Sequence, residues 1–529
     1  MPILWEVKDF NPLSQQALFE PLPSERLEQF NKDFLIEFIK EQQKVNDAII
    51  RDNNRLRELV ALQKQATLLV GEQYIVLRNK IFGKSSERSP HETSGGQKPE
   101  REKKKRVLLP SERYPDALLV EQDIDFKEPP VCDCCGDRMW KSGMTEDSEH
   151  LTVIPKKYVV VRQKRHKYEC RKCHGDIQTA PLPPRIKEGS SYSDEMIIDV
   201  ATTKYCDLIP IERYAAIAAR GGLEGLPPQS LIESTHYLAD FVKGAYEKLR
   251  GEVVAAKVLH ADETPHRMLE GDWKSHWYLW GFSTRSASYF ECHNTRSGDV
   301  ASGLLTNAQC EHLVSDVYTG YGKAVRVSNQ DRQARGLPCI THVYCNSHAR
   351  RYFKQGGDRS PKEAEFFIAQ YREVYRLEDL AKDKPPDEVW ALRQEMKPYF
   401  KSMKQRAIEA VGSYSSKSLI AKAMKYFVRN YEGLTRFLDN PDLPIDNNPQ
   451  ERLMRNPVIG RKTWYGTHSK LGARTAAILF SLVESCKLNK INPKEYFRDL
   501  VAALHRGEAA FTPAEYKAKI TQPEAAPKL

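Results

Sequence analysis

The chain has 529 residues, 40% of them hydrophobic, with 81 Lys and Arg against 71 Asp and Glu for a net charge of +10. That is several times the usual domain size, so three or more domains and a large core are expected. No apolar run approaches a membrane span, residues 1–10 lack a basic-then-apolar leader, and the cysteine count of 11 is odd. Together these predict a soluble intracellular chain and argue against a membrane or secreted disulfide-bonded protein.

Residues 1–25 form an N-terminal arm without a readable pattern. Residues 26–82 contain no proline and one glycine, Gly71. Leu59, Leu62, Ala66, Leu69, Gln73 and Val76 follow a three-four spacing that predicts a helix with an apolar seam. Phe34, Phe38, Val45 and Ala48 nearly continue the seam, but Asp52 and Arg55 interrupt it. A dimerising coiled coil over 26–83 and a long helix packed on its own chain both fit. From residue 84 to 106, Ser, Gly, Pro and Lys dominate, ending in Lys103-Lys104-Lys105-Arg106. This reads as a flexible basic linker that can lie along phosphates, or as a solvated tail.

Two cysteine pairs punctuate residues 107–185: Cys132-x-x-Cys135-Gly136 and Cys170-x-x-Cys173-His174-Gly175. Each makes a knuckle offering two thiolates, and two knuckles complete a structural Zn²⁺ shell, with Cys134 as a spare thiol. Between them Tyr158 to Val161 reads as a strand. Lys156, Lys157, Arg162, Lys164, Arg165 and Lys167, interleaved with Tyr158 and Tyr168, suggest a nucleic-acid face. Over 186–250 the pattern turns helical, with Ile211 to Arg220, a Gly221-Gly222 stop, and a second helix from Gln229 to about Leu249. The pair resembles a DNA-reading helix-turn-helix, with a plain helical hairpin as the alternative.

From Glu252 an apolar stretch runs into His260-Ala261-Asp262-Glu263-Thr264-Pro265, predicting a buried strand that presents an acid and stops at proline. Strands are expected at 276–282 and 288–292, a helix at 299–307, a strand ending at Asp316, and another at 340–344. Three strands, a helix and two more strands is the order of the ribonuclease-H-like fold, in which the first and fourth strands lie side by side. Residues 251–360 would be the first part of that core and 361–440 a charged helical insertion. Asp446-Asn447-Asn448-Pro449 caps a helix carrying Glu451 in a final core part at 441–488. A C-terminal helix follows at 489–529, with a tail expected to wander from Gly507. The fold class expected is thus multidomain α+β: an N-terminal helical segment, a small zinc-ribbon-like β domain, a helix-turn-helix-like domain, and an α/β core with a helical insertion and C-terminal helices. Three acids on separate elements could converge on divalent metal.

In this order, Asp262-Glu263-Thr264-Pro265, Asp316-Val317-Tyr318-Thr319-Gly320-Tyr321 and Asn447-Asn448-Pro449-Gln450-Glu451-Arg452 resemble the transposases of the bacterial insertion-sequence-66 group. Arg455, Gly460-Arg461-Lys462-Thr463-Trp464, Ile81 to Arg88 and the two cysteine knuckles extend the resemblance over about residues 26–505. It implies a DDE-type transposase in which Asp262, Asp316 and Glu451 hold two Mg²⁺ (or Mn²⁺) ions for phosphodiester hydrolysis and strand transfer. Glu263 and Asp446 are the nearest competing acids. Cys345-Asn346-Ser347-His348 resembles a Cys-x-x-His signature of several transposase superfamilies, although the family usually carries an aromatic where Asn346 stands. Candidate DNA contacts are His348, Arg350, Arg351, Arg452, Arg455, Arg461, Lys462, Lys164, Arg165 and Lys167, because cations beside an acidic centre invite a polyanion. Trp464 reads as a base-stacking residue or a core anchor. The implied partners are double-stranded DNA, further copies of the chain (at least a dimer on DNA) and accessory proteins of the same element. The implied location is the bacterial cytoplasm, at the nucleoid. Two alternatives keep part of this reading: a metal-dependent nuclease without joining activity, and a non-catalytic zinc-containing DNA binder.

Overall fold

The computed structural model describes residues 109–521, except 116, 123, 127, 142–147, 155, 174–176 and 271–275, together with scattered positions between 36 and 59, all of them helical. The chain divides into two units, Met1–Thr93 and Ser94–Leu529. Most of the apolar seam, the Ile81 to Arg88 motif and the basic linker lie outside the described residues.

The second unit is mixed α/β around a five-stranded sheet. Its strands are β3 (Val258–Arg267), β4 (His276–Ser283), β5 (Ser288–His293), β6 (His312–Ser315) and β7 (Thr341–Tyr344), in the order β5-β4-β3-β6-β7. β3, β4 and β5 form an antiparallel meander, whereas β6 pairs parallel to both β3 and β7. Parallel neighbours need crossovers. α5 (Gly298–Leu305) makes the one from the meander to β6, and α6 (Thr319–Ala334) the one from β6 to β7. Leu259, Trp280, Phe282, Phe290 and Leu313 are fully buried in the resulting core. Three further elements surround the sheet: α7 (Asn346–Gly356) after β7, α12 (Asn448–Trp464) against β3 and β4, and α13 (Lys470–Leu488) along β5. α13 closes the exposed edge of β5: Ser481 Oγ accepts from Phe290 N at 2.8 Å and Ser485 Oγ from Ser288 N at 2.9 Å. The edge therefore has no free donors there to template aggregation.

Between α7 and α12 stands a helical insertion with its own aromatic core. It comprises α8 (Pro361–Ala381), α9 (Pro386–Ala410), α10 (Leu419–Arg429) and the short α11 (Tyr431–Thr435). Phe353, Phe367, Phe400, Phe427 and Phe437 are all fully buried in it. Ahead of the sheet lie α1 (Asp194–Tyr205), α2 (Ile211–Arg220), α3 (Pro228–Phe241) and α4 (Lys243–Ala255). The single helix expected from Gln229 to Leu249 is two, broken at Val242. α3 packs on α1 and α13, and His236 Nδ1 meets Thr475 Oγ1 at 2.7 Å.

Three local expectations are corrected. β3 continues past Pro265 to Arg267, still paired with β4. Arg267 O and Leu269 N bond to Thr467 on the side away from β4, and Pro265, of the same parity, aims its missing N–H there too. Tyr158 to Val161 form no strand: Val159, Val160 and Val161 are exposed, and with no partner strand their backbone has no ladder to join. The hairpin of this region is instead β1 (Lys167–Glu169) with β2 (Ile177–Thr179). Finally, the tail holds α15 (Pro513–Thr521), which follows α14 (Pro493–His505). A capping box starts it: Thr512 N donates to Glu515 Oε2 at 2.7 Å and Glu515 N to Thr512 Oγ1 at 3.2 Å. Tyr516 is 8% exposed and donates to Asp499 at 2.6 Å.

Candidate active site

β3 and β6 pair in parallel up to His260 opposite Val314, and Asp262 and Asp316 each lie two residues beyond that last pair, near enough for the Asp316 charge to act on Asp262. Asp316 is the first residue after β6, and one of its oxygens accepts from Tyr318 N at 3.0 Å. Asp262 accepts from Glu263 N at 2.9 Å. Burial holds the Asp262 carboxyl well above the ordinary carboxylate range, and the charges of Glu263, Glu451 and Asp316 push it further in the same direction. The third acid, Glu451, lies in the first turn of α12.

Asn447, just before α12, ties β3 and the residue after β7 to the start of α12. Its side-chain oxygen meets His260 Nδ1 at 2.8 Å, its amide donates to Ala261 O at 2.9 Å, and its backbone N–H points to Cys345 Sγ at 3.1 Å. Asn346 does the same for the insertion: its amide donates to Leu434 O at 2.8 Å and Ile445 O at 3.0 Å, and it accepts from Tyr371 OH at 3.2 Å. A fully buried amide thus pins α7 to the insertion. Neither asparagine announced this in the sequence, where Asn447, two residues before Pro449, reads as part of a cap and Asn346 carries no periodic mark.

The competing acids are engaged elsewhere. Glu263 accepts from Tyr321 OH at 2.5 Å and from Arg296 at 2.6 and 2.8 Å, with its side chain 2% exposed. Asp446 accepts from Tyr375 OH at 3.0 Å, Asn448 N at 3.0 Å and Asn448 Nδ2 at 2.7 Å. Glu451 instead faces ion-pair partners at longer range, His348 Nδ1 and Arg351 Nη2, each at 3.5 Å. Cys345, His348 and Glu451 each offer a donor atom within 4.8 Å of the others, which makes them the only such group of three among the described residues. Burial pushes the Cys345 thiol up to about 12, so it is a neutral hydrogen-bonding partner at neutral pH.

The other predicted cations spread over several surfaces. Arg350 lies 6.0 Å from the Tyr375 ring, Arg452, Arg455 and Lys462 are exposed along α12, and Arg461 donates to Pro265 O. Trp464 packs edge-on to Tyr205 at 6.3 Å and under Lys204, which makes it a core anchor. Lys164, Arg165 and Lys167 are exposed, Arg165 donating to Ala180 O at 2.6 Å. Lys156 and Tyr158, read as part of the same face, are engaged by the helical body: the half-exposed Lys156 pairs with Asp199, and both lie by Tyr214 and α2. The pull comes from Asp199, a nearly buried carboxylate that needs cationic partners.

The cysteine knuckles suit thiolates. The backbone amides of Cys134 and Cys135 lower the Cys132 thiol, and those of Cys173 and Lys172 lower Cys170. Gly136, at φ +79°, closes the first turn. The described residues show two separate pairs, as no three of these sulfurs lie within 4.8 Å of one another.

Residues 189–475 match the family model described as the transposase IS66 family, and residues 129–174 match the zinc-finger binding domain of transposase IS66. Three Sinorhizobium fredii proteins are similar over most of their length. The uncharacterized protein y4hP is 26% identical over 74% of this chain and 73% of its own. The corresponding figures for the uncharacterized protein y4jD are 25%, 73% and 77%, and for the uncharacterized protein y4qI 27%, 80% and 79%. No helix among the described residues is long and apolar enough to cross a membrane.

Proposed function

The chain belongs to the IS66 transposase family, and on that premise we propose that it cuts the ends of its mobile element and joins the freed 3′ ends to target DNA. The observation that carries the reading is the setting of Asp262, whose carboxyl is raised first by burial, then by Glu263, and then by Glu451 and Asp316, acids brought from elements far apart in sequence. The oxygens of Asp262, Asp316 and Glu451 do not all lie within 4.8 Å of one another, so a shared cation would have to draw Glu451 away from Cys345 and His348. Hard oxygen donors of this kind suit Mg²⁺ or Mn²⁺. Asp262, Asp316 and Glu451 would hold Mg²⁺ or Mn²⁺ in a ribonuclease-H-like core. When bound, the ions supply Lewis-acid activation of the attacking oxygen and stabilise charge on the leaving oxygen.

The chain's own residues supply positioning. Glu451 is oriented by His348 and Arg351, and the Arg351 guanidinium also brings positive charge to the place where a scissile phosphate must sit. Arg452, Arg455 and Lys462 extend that charge along α12 to neighbouring phosphates. Structural Zn²⁺ in the Cys132, Cys135, Cys170 and Cys173 knuckles would shape a module whose Lys164, Arg165 and Lys167 face DNA. Action at paired element ends calls for at least a dimer, in the cytoplasm at the nucleoid, with accessory proteins of the same element as further partners.

The test is incubation with Mg²⁺ and plasmid DNA carrying the element ends. We expect nicked ends and joined 3′ products from the unsubstituted chain. Asp262→Asn, Asp316→Asn and Glu451→Gln should each lower cleavage by at least 1,000-fold, about 4 kcal/mol in barrier, with DNA binding retained. Cleavage without joining would reduce the protein to a nuclease. Full cleavage by any of the three variants would remove that residue from the site.

A further inference from the structure

Next to Asp316, on the side of the helical insertion, lies a cavity of about 890 Å³. One wall is the turn after β6, with Tyr318, and the face of α6 carrying Lys323 and Arg326; the other is the insertion, with Lys404, Arg429 and Arg436. Five cations thus line it against one acid, Glu432. Three of them have local partners: Lys323 pairs with Asp299 at 2.7 Å, Lys404 lies 4.3 Å from the Tyr431 ring centre, and Arg436 donates to His342 O. Arg326 and Arg429 are exposed and have no carboxylate partner among the described residues. The walls are held in place by close packing. A Cβ on Gly433 would come within 2.2 Å of the Tyr344 ring, so only glycine lets α11 rest on β7 at the cavity floor.

From these observations we propose that this cleft, built jointly by the core and the insertion, binds the sugar-phosphate backbone of the DNA strand that continues past Asp316. The inference rests on the transposase reading and extends it, for none of these cations is among those beside Glu451. Facing guanidiniums in an open, polar cleft of this size suit successive phosphates of a polyanion, and Arg offers forked donors to each. The insertion then acts as the second jaw of a DNA clamp, and the strand crosses the three acids between the α7 and α12 cations and this cleft.

The test is fluorescence-anisotropy binding of a labelled duplex of about 30 base pairs to the full chain at several salt concentrations, without divalent metal. Each phosphate contact contributes about −0.9 to the slope of log K against log salt. Arg326→Gln with Arg429→Gln should make that slope shallower by about two units and weaken binding at least 10-fold at low salt. Lys362→Gln with Lys401→Gln, an equal loss of charge at exposed insertion lysines outside the cleft, should leave the slope unchanged. Circular dichroism confirms that both variants fold. An unchanged slope in the arginine pair, or an equal change in the lysine pair, overturns the cleft assignment and leaves the transposase reading standing. Failure of the unsubstituted chain to bind DNA overturns both.

Discussion

Asp262 carries an electrostatic burden that a metal-free chain must tolerate. Its carboxyl is raised by burial and by three neighbouring acids, from an ordinary value of 3.8. The folded state therefore holds a proton that the unfolded state has already released, and stability falls as pH rises from about 3.8 through the raised value. Asp262→Asn removes that penalty. Metal-free variant protein should be more stable than the unsubstituted chain by about 1 kcal/mol or more at pH 8, and the gap should close towards pH 4. Chemical denaturation at the two pH values measures this; equal stabilities at pH 8 would show that the acids do not strain one another. At this scale the sequence marked candidate acids and was silent about the side chains that support them. Asp262, Asp316 and Glu451 stood out because acids at the ends of apolar runs or behind a helix cap are conspicuous. Asn447 and Asn346 did not, because a buried amide looks like any cap or turn residue until its partners, 25 to 187 positions away, are known.

The element that sets the geometry is α12, which lies across β3 and β4. Gly281 on β4 pairs with Asp262, and Gln450 and Met454 of α12 press onto it. A Cβ there would meet Gln450 Nε2 at 2.3 Å and Met454 Sδ at 2.7 Å. Gly281→Ala should therefore lift α12 and with it Glu451, costing about 1–3 kcal/mol of stability and most of the cleavage activity. A melting scan and the plasmid assay check both, and a variant with unaltered cleavage would show that α12 can shift without moving the site. Element positions were largely readable, since alternation and aromatic runs mark β4 and β5 and an apolar run marks β6. Boundaries were harder. Pro265 was read as a stop because proline lacks a donor, yet that donor would have pointed away from β4. The capping box of α15 was hidden in an Ala-, Pro- and Lys-rich tail whose composition suggested no structure.

Across the whole second unit, the zinc-finger region is tied to the helical body through Asp199. Burial pulls this carboxyl upward, but hydrogen bonds from Lys156, Lys494 and Tyr214 outweigh it and hold the group below its ordinary value. One carboxylate thus joins the segment between the knuckles to α2 and α14. Cys132→Ser and Cys170→Ser should each release about one zinc ion per chain, read by elemental analysis of purified protein, while the melting transition of the sheet core persists. Unchanged zinc content in both variants would contradict the knuckle assignment. What the sequence could not convey at this scale was how the insertion meets the core. Its helices were visible as a charged, periodic stretch, but the cleft they form with α6 depends on tertiary packing.

In the proposed site Asp262, Asp316 and Glu451 share one set of divalent cations while Glu263 and Asp446 serve the scaffold. Electron paramagnetic resonance of Mn²⁺ titrated into the protein–DNA complex tests this directly. The unsubstituted chain should show a saturable class of bound Mn²⁺. That class should weaken at least 10-fold in Asp262→Asn, Asp316→Asn and Glu451→Gln and persist in Glu263→Gln and Asp446→Asn. Retention of the bound class in any of the first three, or its loss in either of the last two, would contradict the shared site.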